Sequence, residues 1–151
     1  VAEVSKSVLI EYSAGQMYHL VDLVEEYPLF LPWCGGTELI HRDEARTVAR
    51  LHINYHGIKT DFSTDNEKEP PHLMLIRLRH GPFEHLDGRW HFKPLGDTAC
   101  KVEFHLHYEF SSRLLEKALG PVFHHIANTF VDSFVRRAGQ VYPGNDRIDS
   151  R

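Results

Sequence analysis

SRLLEKALGPVFHHIANTFVDSFVRRAGQV, residues 112–141, carries apolar side chains at Leu115, Leu119, Val122, Phe123, Ile126, Phe130, Phe134, Ala138 and Val141. Steps of three and four set these along one stripe of a helix. Such a helix runs about 40 Å at 1.5 Å per residue, the width of a whole small domain. Only something broad can keep a stripe with three phenylalanines dry. The preceding chain is a succession of alternating segments, so the pattern predicts one curved sheet wrapped around this helix. Gly120-Pro121 interrupts it: the proline ring removes a helical donor and the residue before it avoids the α region. A kink is expected there, with Pro121 opening the main helical segment.

Working outward, Val4 to Glu11 reads as a first strand. Ser13 stands as an N-cap with Gln16 at capping-box spacing, opening a short helix faced by Met17, Leu20, Val21 and Val24. Tyr27 to Cys34 holds two prolines and several aromatics, a short helical turn plugged into the domain, after which Gly35-Gly36 releases the chain into the sheet. Strands follow at Thr37–His41, Arg46–Tyr55, Ile58–Asn66, His72–Arg79, Glu84–Lys93 and Cys100–Phe110, with Gly57, Pro70-Pro71, Gly81-Pro82 and Gly96-Asp97 between them. Gly88 marks a bulge or a close approach. Cys100 to Phe110 has the cleanest two-residue alternation in the chain. The class is α+β: two short helices after strand one, about seven antiparallel strands, one long helix.

The 151 residues are 42% hydrophobic and 25% charged, which suits one globular domain over 1–142 with a frayed tail over 143–151. No apolar run reaches the roughly 18 residues that span a bilayer, and the start lacks a signal-peptide pattern. A soluble cytoplasmic protein is expected. A formal net charge of -4 argues against DNA as a partner, since counterion-release binding needs clustered excess Lys and Arg. Cys34 and Cys100 have no metal or redox spacing and read as small buried hydrophobes.

Three motifs carry a family resemblance. Tyr27-Pro28-x-Phe30-Leu31-Pro32-x-Cys34, Gly81-Pro82-Phe83 with Gly88-x-Trp90-x-Phe92-x-Pro94-Leu95, and Cys100-x-Val102-x-Phe104-x-Leu106-x-Tyr108-x-Phe110 occur in this order. The chain thereby resembles the coenzyme Q-binding branch of the START-like superfamily, also labelled polyketide cyclase/dehydrase and lipid transport, and within it the bacterial ribosome association toxin group. The resemblance covers the first strand to Val141. It implies a helix-grip fold (START-like, Bet v 1-like) with a hydrophobic tunnel between sheet and helix. It also implies a ubiquinone or related polyisoprenoid ligand, carried in support of respiration or quinone biosynthesis. Proline at 121 departs from the pattern, which bears on the size of the ligand rather than on the fold.

The tunnel candidates are Phe30, Trp33, Phe62, Ile76, Leu78, Phe83, Trp90, Phe92, Phe104, Phe123, Ile126 and Phe130. Each alone fits plain core packing; together they exceed what a thin sheet on a helix must bury. An isoprenoid tail binds through buried apolar area, so the site needs grease plus one or two polar groups for the head. By residue type Arg50, His52, Tyr55 and Arg77 are the head-group candidates; His52 and His56 line either the tunnel mouth or the surface. Residues 27–33 either touch a membrane transiently to collect cargo or pack as core.

No Gly-x-Ser-x-Gly elbow, Walker loop, Gly-x-Gly-x-x-Gly or His-Glu-x-x-His is present, so no catalytic residue is assigned and no cofactor is required. His105 and His107 alternate with core residues and belong to a solvated face rather than a metal site. The expected function is a non-enzymatic quinone or lipid carrier, cytoplasmic or peripheral to the inner membrane. The alternatives are association with the large ribosomal subunit, with Arg136-Arg137 as a local contact, and an oligoketide cyclase in which Tyr55, Asp61 and Arg77 polarise a carbonyl.

Overall fold

The computed structural model describes residues 2–143. Beyond Pro143 the expected tail lies outside the described residues.

Seven strands, β1 (Ala2–Ile10), β2 (Cys34–Arg42), β3 (Arg46–Tyr55), β4 (Ile58–Glu69), β5 (Leu73–His80), β6 (Phe83–Pro94) and β7 (Cys100–Phe110), form one antiparallel sheet. Its order is β1-β7-β6-β5-β4-β3-β2, so strand one closes onto strand seven while every other pairing is a hairpin. Helix α1 (Ala14–Asp22) and a 3-10 turn (Val24–Leu29) link β1 to β2, and α2 (Arg113–Val141) ends the fold. This is the helix grip. Along β7 burial alternates without a fault from Cys100 to Phe110. The inner residues Phe104 and Leu106 register with Trp90 and Gly88 of β6, and through them with Met74 and Ile76 of β5.

Ser13 caps α1 as its spacing predicts: its hydroxyl accepts from the Gln16 N–H while the Gln16 side chain accepts from the Ser13 N–H. Ser112 caps α2 in the same manner through Leu115. His56 and Gly57, both at positive φ, make the two-residue turn between β3 and β4, where the primed turn types require that backbone.

Two expectations need correction, and at Gly88 the structure decides between two. Helix α2 runs unbroken through Gly120-Pro121, so Pro121 does not open a separate segment. Its exposed ring costs the helix one N–H donor, and a packed helix of 29 residues, about eight turns, absorbs that loss. Gly35-Gly36 lies inside β2, where the pairing slips between Cys34 and Gly36, rather than ahead of it. Gly88 is a close approach and not a bulge: pairing with β7 is regular there, and an added Cβ would stand 2.5 Å from the His105 carbonyl oxygen. The last residue of the apolar stripe, Val141, is 40% exposed.

Candidate functional site: an apolar cavity under the long helix

The inner face of β4 reads Ile58, Thr60, Phe62, Thr64, Asn66, Lys68, so polarity rises along a single strand at about 6.7 Å per step. A cavity opens beside its middle. Val21 and Val24 bound it from α1 and the turn, Leu51, Phe62, Ile76, Leu86, Trp90, Phe104 and Leu106 from the sheet, and Phe123, Ile126, Ala127 and Phe130 from α2. Tyr27, Trp33, Thr64 and Asn66 complete the wall. Empty space totals about 640 Å3, part of it open to solvent, and only about 70 Å3 is wide enough for the centre of a water molecule. The cavity is long in lining and narrow in bore.

Gly88 registers between Ile76 and Leu106, and the space its Cβ would need is taken by the His105 carbonyl and Leu106, so glycine there lets β7 approach closely. Trp90 stacks against Phe92 and meets Phe104, Phe130 and Phe134 at centroid distances of 4.6–5.8 Å, which fixes one wall as a rigid aromatic block.

The polar groups on the wall are few. The Tyr27 hydroxyl donates to the Val21 carbonyl, and burial pushes its pKa up, so it is a neutral structural donor. Asn66 Oδ1 is buried with no hydrogen-bond partner, and Asn66 Nδ2 makes only a 3.6 Å contact with Met74 Sδ. An amide held this loosely can turn its Nδ2 donor toward an acceptor on a guest, while the unpaired Oδ1 gains only from a guest that donates.

Beyond Asn66 the strand ends in an ionic lock. Lys68, its side chain 4% exposed, lies 3.1 Å from Asp22 Oδ2, and the Thr47 hydroxyl donates to Asp22 Oδ1. Arg42 donates to both Glu25 oxygens and to the Asp22 carbonyl. The hydrogen bond from Arg42 holds Glu25 down to about 2 against an ordinary 4.5. Arg137 of α2 reaches Glu26 and lies over the Phe30 ring at 5.2 Å.

Eight of the twelve tunnel candidates stand on this wall: Trp33, Phe62, Ile76, Trp90, Phe104, Phe123, Ile126 and Phe130. Phe92 lies fully buried behind Trp90, against Tyr18. Phe30 packs on Tyr27 and Phe134, Phe83 joins Phe62, Phe110 and Phe123, and Leu78 packs half-buried at the core edge.

None of the four polar candidates reaches the cavity. Arg50 and His52 sit on the outer face of β3, tied to Glu38 and, for Arg50, Asp61; Arg77 points outward to Glu67. Alternation decides this, because Leu51, Ile76 and Leu78 take the inner positions. Tyr55 stacks between His56 and His125 at the helix edge. The polar residues that do line the cavity, Thr64 and Asn66, share the parity of Phe62, a signal that residue type alone overlooks.

Other candidates also move. Tyr27 and Trp33 are buried, so the plug is core, and its exposed apolar side chain is Leu29. Arg137 is engaged by Glu26, which leaves Arg136 as the exposed member of that pair. His105 bonds Ser5 and His107 bonds Asp87 on the outer face. Among the described residues no three potential metal ligands cluster, and no helix is long and apolar enough to cross a membrane. Both thiols are buried, and burial pushes Cys100 up to about 11.

A helix grip closed over an apolar cavity is a fold shared by many proteins, and comparison narrows it. Residues 10–135 match the polyketide cyclase / dehydrase and lipid transport family. The chain belongs to that family. It is 44% identical over 140 residues to the ribosome association toxin RatA of Vibrio cholerae, covering 93% of this chain and 97% of the relative. It is 28% identical over 145 residues to the coenzyme Q-binding protein COQ10 homolog B of Xenopus laevis, covering 93% of this chain and 59% of that longer protein. Among solved structures, the Zhui aromatase/cyclase of Streptomyces sp. R1128 superposes with a TM-score of 0.79 at 14% identity, covering 92% and 94% of the two chains. A START superfamily protein of Mycobacterium smegmatis superposes at 0.72 with 21% identity, covering 92% and 98%. The fold is START-like, of the Bet v 1 type.

Proposed function

We propose that the protein binds a polyisoprenoid quinone of the coenzyme Q type, or a lipid like it, beneath α2 and carries it without transforming it, in support of respiration or quinone biosynthesis. The observation that carries this reading is the wall itself: a long apolar lining with two uncharged polar side chains, Thr64 and Asn66, at one end. An apolar tail gains about 25 cal/mol for each Å2 it buries, and a wall of Phe, Trp, Leu and Ile supplies that area. The likeness to a COQ10 protein supports the same ligand class. Because the present bore is narrow, loading requires α2 to shift outward. Such cargo is collected at a membrane, so a cytoplasmic protein working at the inner-membrane surface follows from the reading, with Leu29 as its exposed apolar tip.

The test is organic extraction and native mass spectrometry of protein purified from a quinone-producing host. A co-purifying quinone is expected, lost when Trp90 is replaced by Glu in a protein that still folds. A protein that is empty and also refuses added ubiquinone overturns the proposal.

The strong likeness to RatA proteins favours a second reading, association with the large ribosomal subunit. Sedimentation with ribosomes should then occur at low salt and vanish as salt rises, because a surface contact with ribosomal RNA is screened. Quinone binding should not respond to salt. A cyclase activity, the third reading, draws support from the family description and would appear as turnover of an oligoketide.

A further inference from the structure

Beside the main cavity lies a second, nearly closed apolar space, about 250 Å3 counting the part open to solvent and almost nowhere wide enough for a water molecule, bounded by Ile53, Ile58, Phe83, Phe110, Leu119 and Val122. Phe62 and Phe123 border both voids. Their rings meet edge to face at 5.9 Å, one from β4 and one from α2, and so stand between the two spaces. Nothing in a helix-grip core demands two voids on either side of one aromatic pair. Closing the second would need only a larger side chain at Val122 or Thr60.

The part of α2 covering the second void is also where its hydrogen-bond ladder lacks a donor. Pro121 has no N–H to give the Lys117 carbonyl, and Gly120 has no side chain to pack. Leu119, Val122 and Phe123 flank that weak point directly. The inner face of β4 then gives the direction of entry: the polar pair Thr64 and Asn66 lies on one side of Phe62 and the apolar Ile58 on the other.

We infer that Phe62 and Phe123 form a movable wall that selects ligands by tail length. The head group of the proposed amphiphile lies beside Thr64 and Asn66, and a tail too long for the first chamber enters the second by displacing the Phe123 ring with the Gly120-Pro121 segment. This rests on the quinone or lipid reading given above. It goes further in assigning the orientation of the ligand and the residues that measure it.

The experiment compares ubiquinones with two and with ten isoprene units against the full chain, by quenching of tryptophan fluorescence. Phe123→Leu removes part of the wall and keeps a side chain that packs. It should tighten binding of the long-tailed quinone about tenfold, the value of one or two buried methylenes, and alter the short-tailed one less than twofold. Pro121→Ala restores the helical donor without touching either chamber. It should slow uptake of the long-tailed quinone severalfold and leave the short-tailed one unchanged. Equal effects on both tails in both variants overturn the wall. Failure of the wild-type protein to bind either tail overturns the carrier reading itself, and the wall with it.

Discussion

The two ends of the cavity are held shut by different forces. At one end Lys68, Asp22, Thr47, Arg42 and Glu25 make a directional network, and Arg137 with Glu26 ties α2 into it. At the other, Phe62, Phe83, Phe110 and Phe123 meet at 4.8–6.1 Å, and a ring stack from Tyr55 to His125 closes the edge. Ion pairs with buried partners have one good geometry and are costly to separate. Aromatic edges lose about 0.5–1.5 kcal/mol per pair and can slide to another contact. On this contrast the grip should be anchored at the ionic end and open at the aromatic one.

The most drastic way to break that contrast is Asp22→Ala. It strands Lys68 in a site where its side chain is 4% exposed, and should destabilise the fold by about 3–5 kcal/mol in urea titration. Lys68→Met should cost much less, because Asp22 keeps Thr47 and Arg42 as partners. A similar loss in both variants would mean that the pair acts through packing and not charge.

Phe83→Leu tests the opposite end. Phe83 is buried against Phe62, Phe110 and Phe123, so trimming it should cost about 1–2 kcal/mol. Its signature is local: amide exchange should rise first at the start of β4 and the N-terminal half of α2, with the Asp22 end still protected. Uniform loss of protection would show a single cooperative unit with no preferred opening.

These ends also differ in how far the sequence announces them. The strict alternation of Cys100–Phe110 and the stripe on 112–141 expose inside and outside directly, because burial follows the two-residue and 3.6-residue periods. Four wall residues, Phe104, Phe123, Ile126 and Phe130, were legible for that reason. The same period places Arg77 outside, between Ile76 and Leu78, and Asn66 inside, four residues after Phe62. Choosing head-group residues by chemical type missed both. The Asp22–Lys68 pair is 46 residues apart in sequence, and no local pattern reports which charges a curved sheet brings together. Pro121 misleads for a related cause, since tertiary packing along α2 outweighs the loss of one helical bond.

Acid should loosen the ionic end selectively. Arg42 holds Glu25 at about 2, below its ordinary 4.5. A carboxyl depressed in the folded state stabilises fully above 4.5, and that contribution drains away as pH falls toward 2. Thermal melts of the wild type should drop relative to Glu25→Gln across this window and run parallel above it. Glu25 is 45% exposed, so solvent screening keeps the difference small. Parallel curves at every pH would remove Glu25 from the lock.

The smallest effect expected is that of His125→Ala, and it separates stability from opening. The imidazole is exposed and lies parallel to Tyr55 at 5.7 Å, while Tyr55 rests at 4.0 Å on His56 in the positive-φ turn. Removing it deletes one solvent-facing contact, worth about 0.5 kcal/mol or less, so the denaturation midpoint should scarcely move. Yet this stack joins α2 to the β3–β4 hairpin at the end that opens. Amides of α2 near His125 should exchange several times faster, with those beside Arg137 unchanged. If both stretches respond alike, the stack is a surface ornament and the helix moves as one rod. If only the near stretch responds, α2 swings about its ionic end, which is the motion a narrow cavity needs to admit a guest.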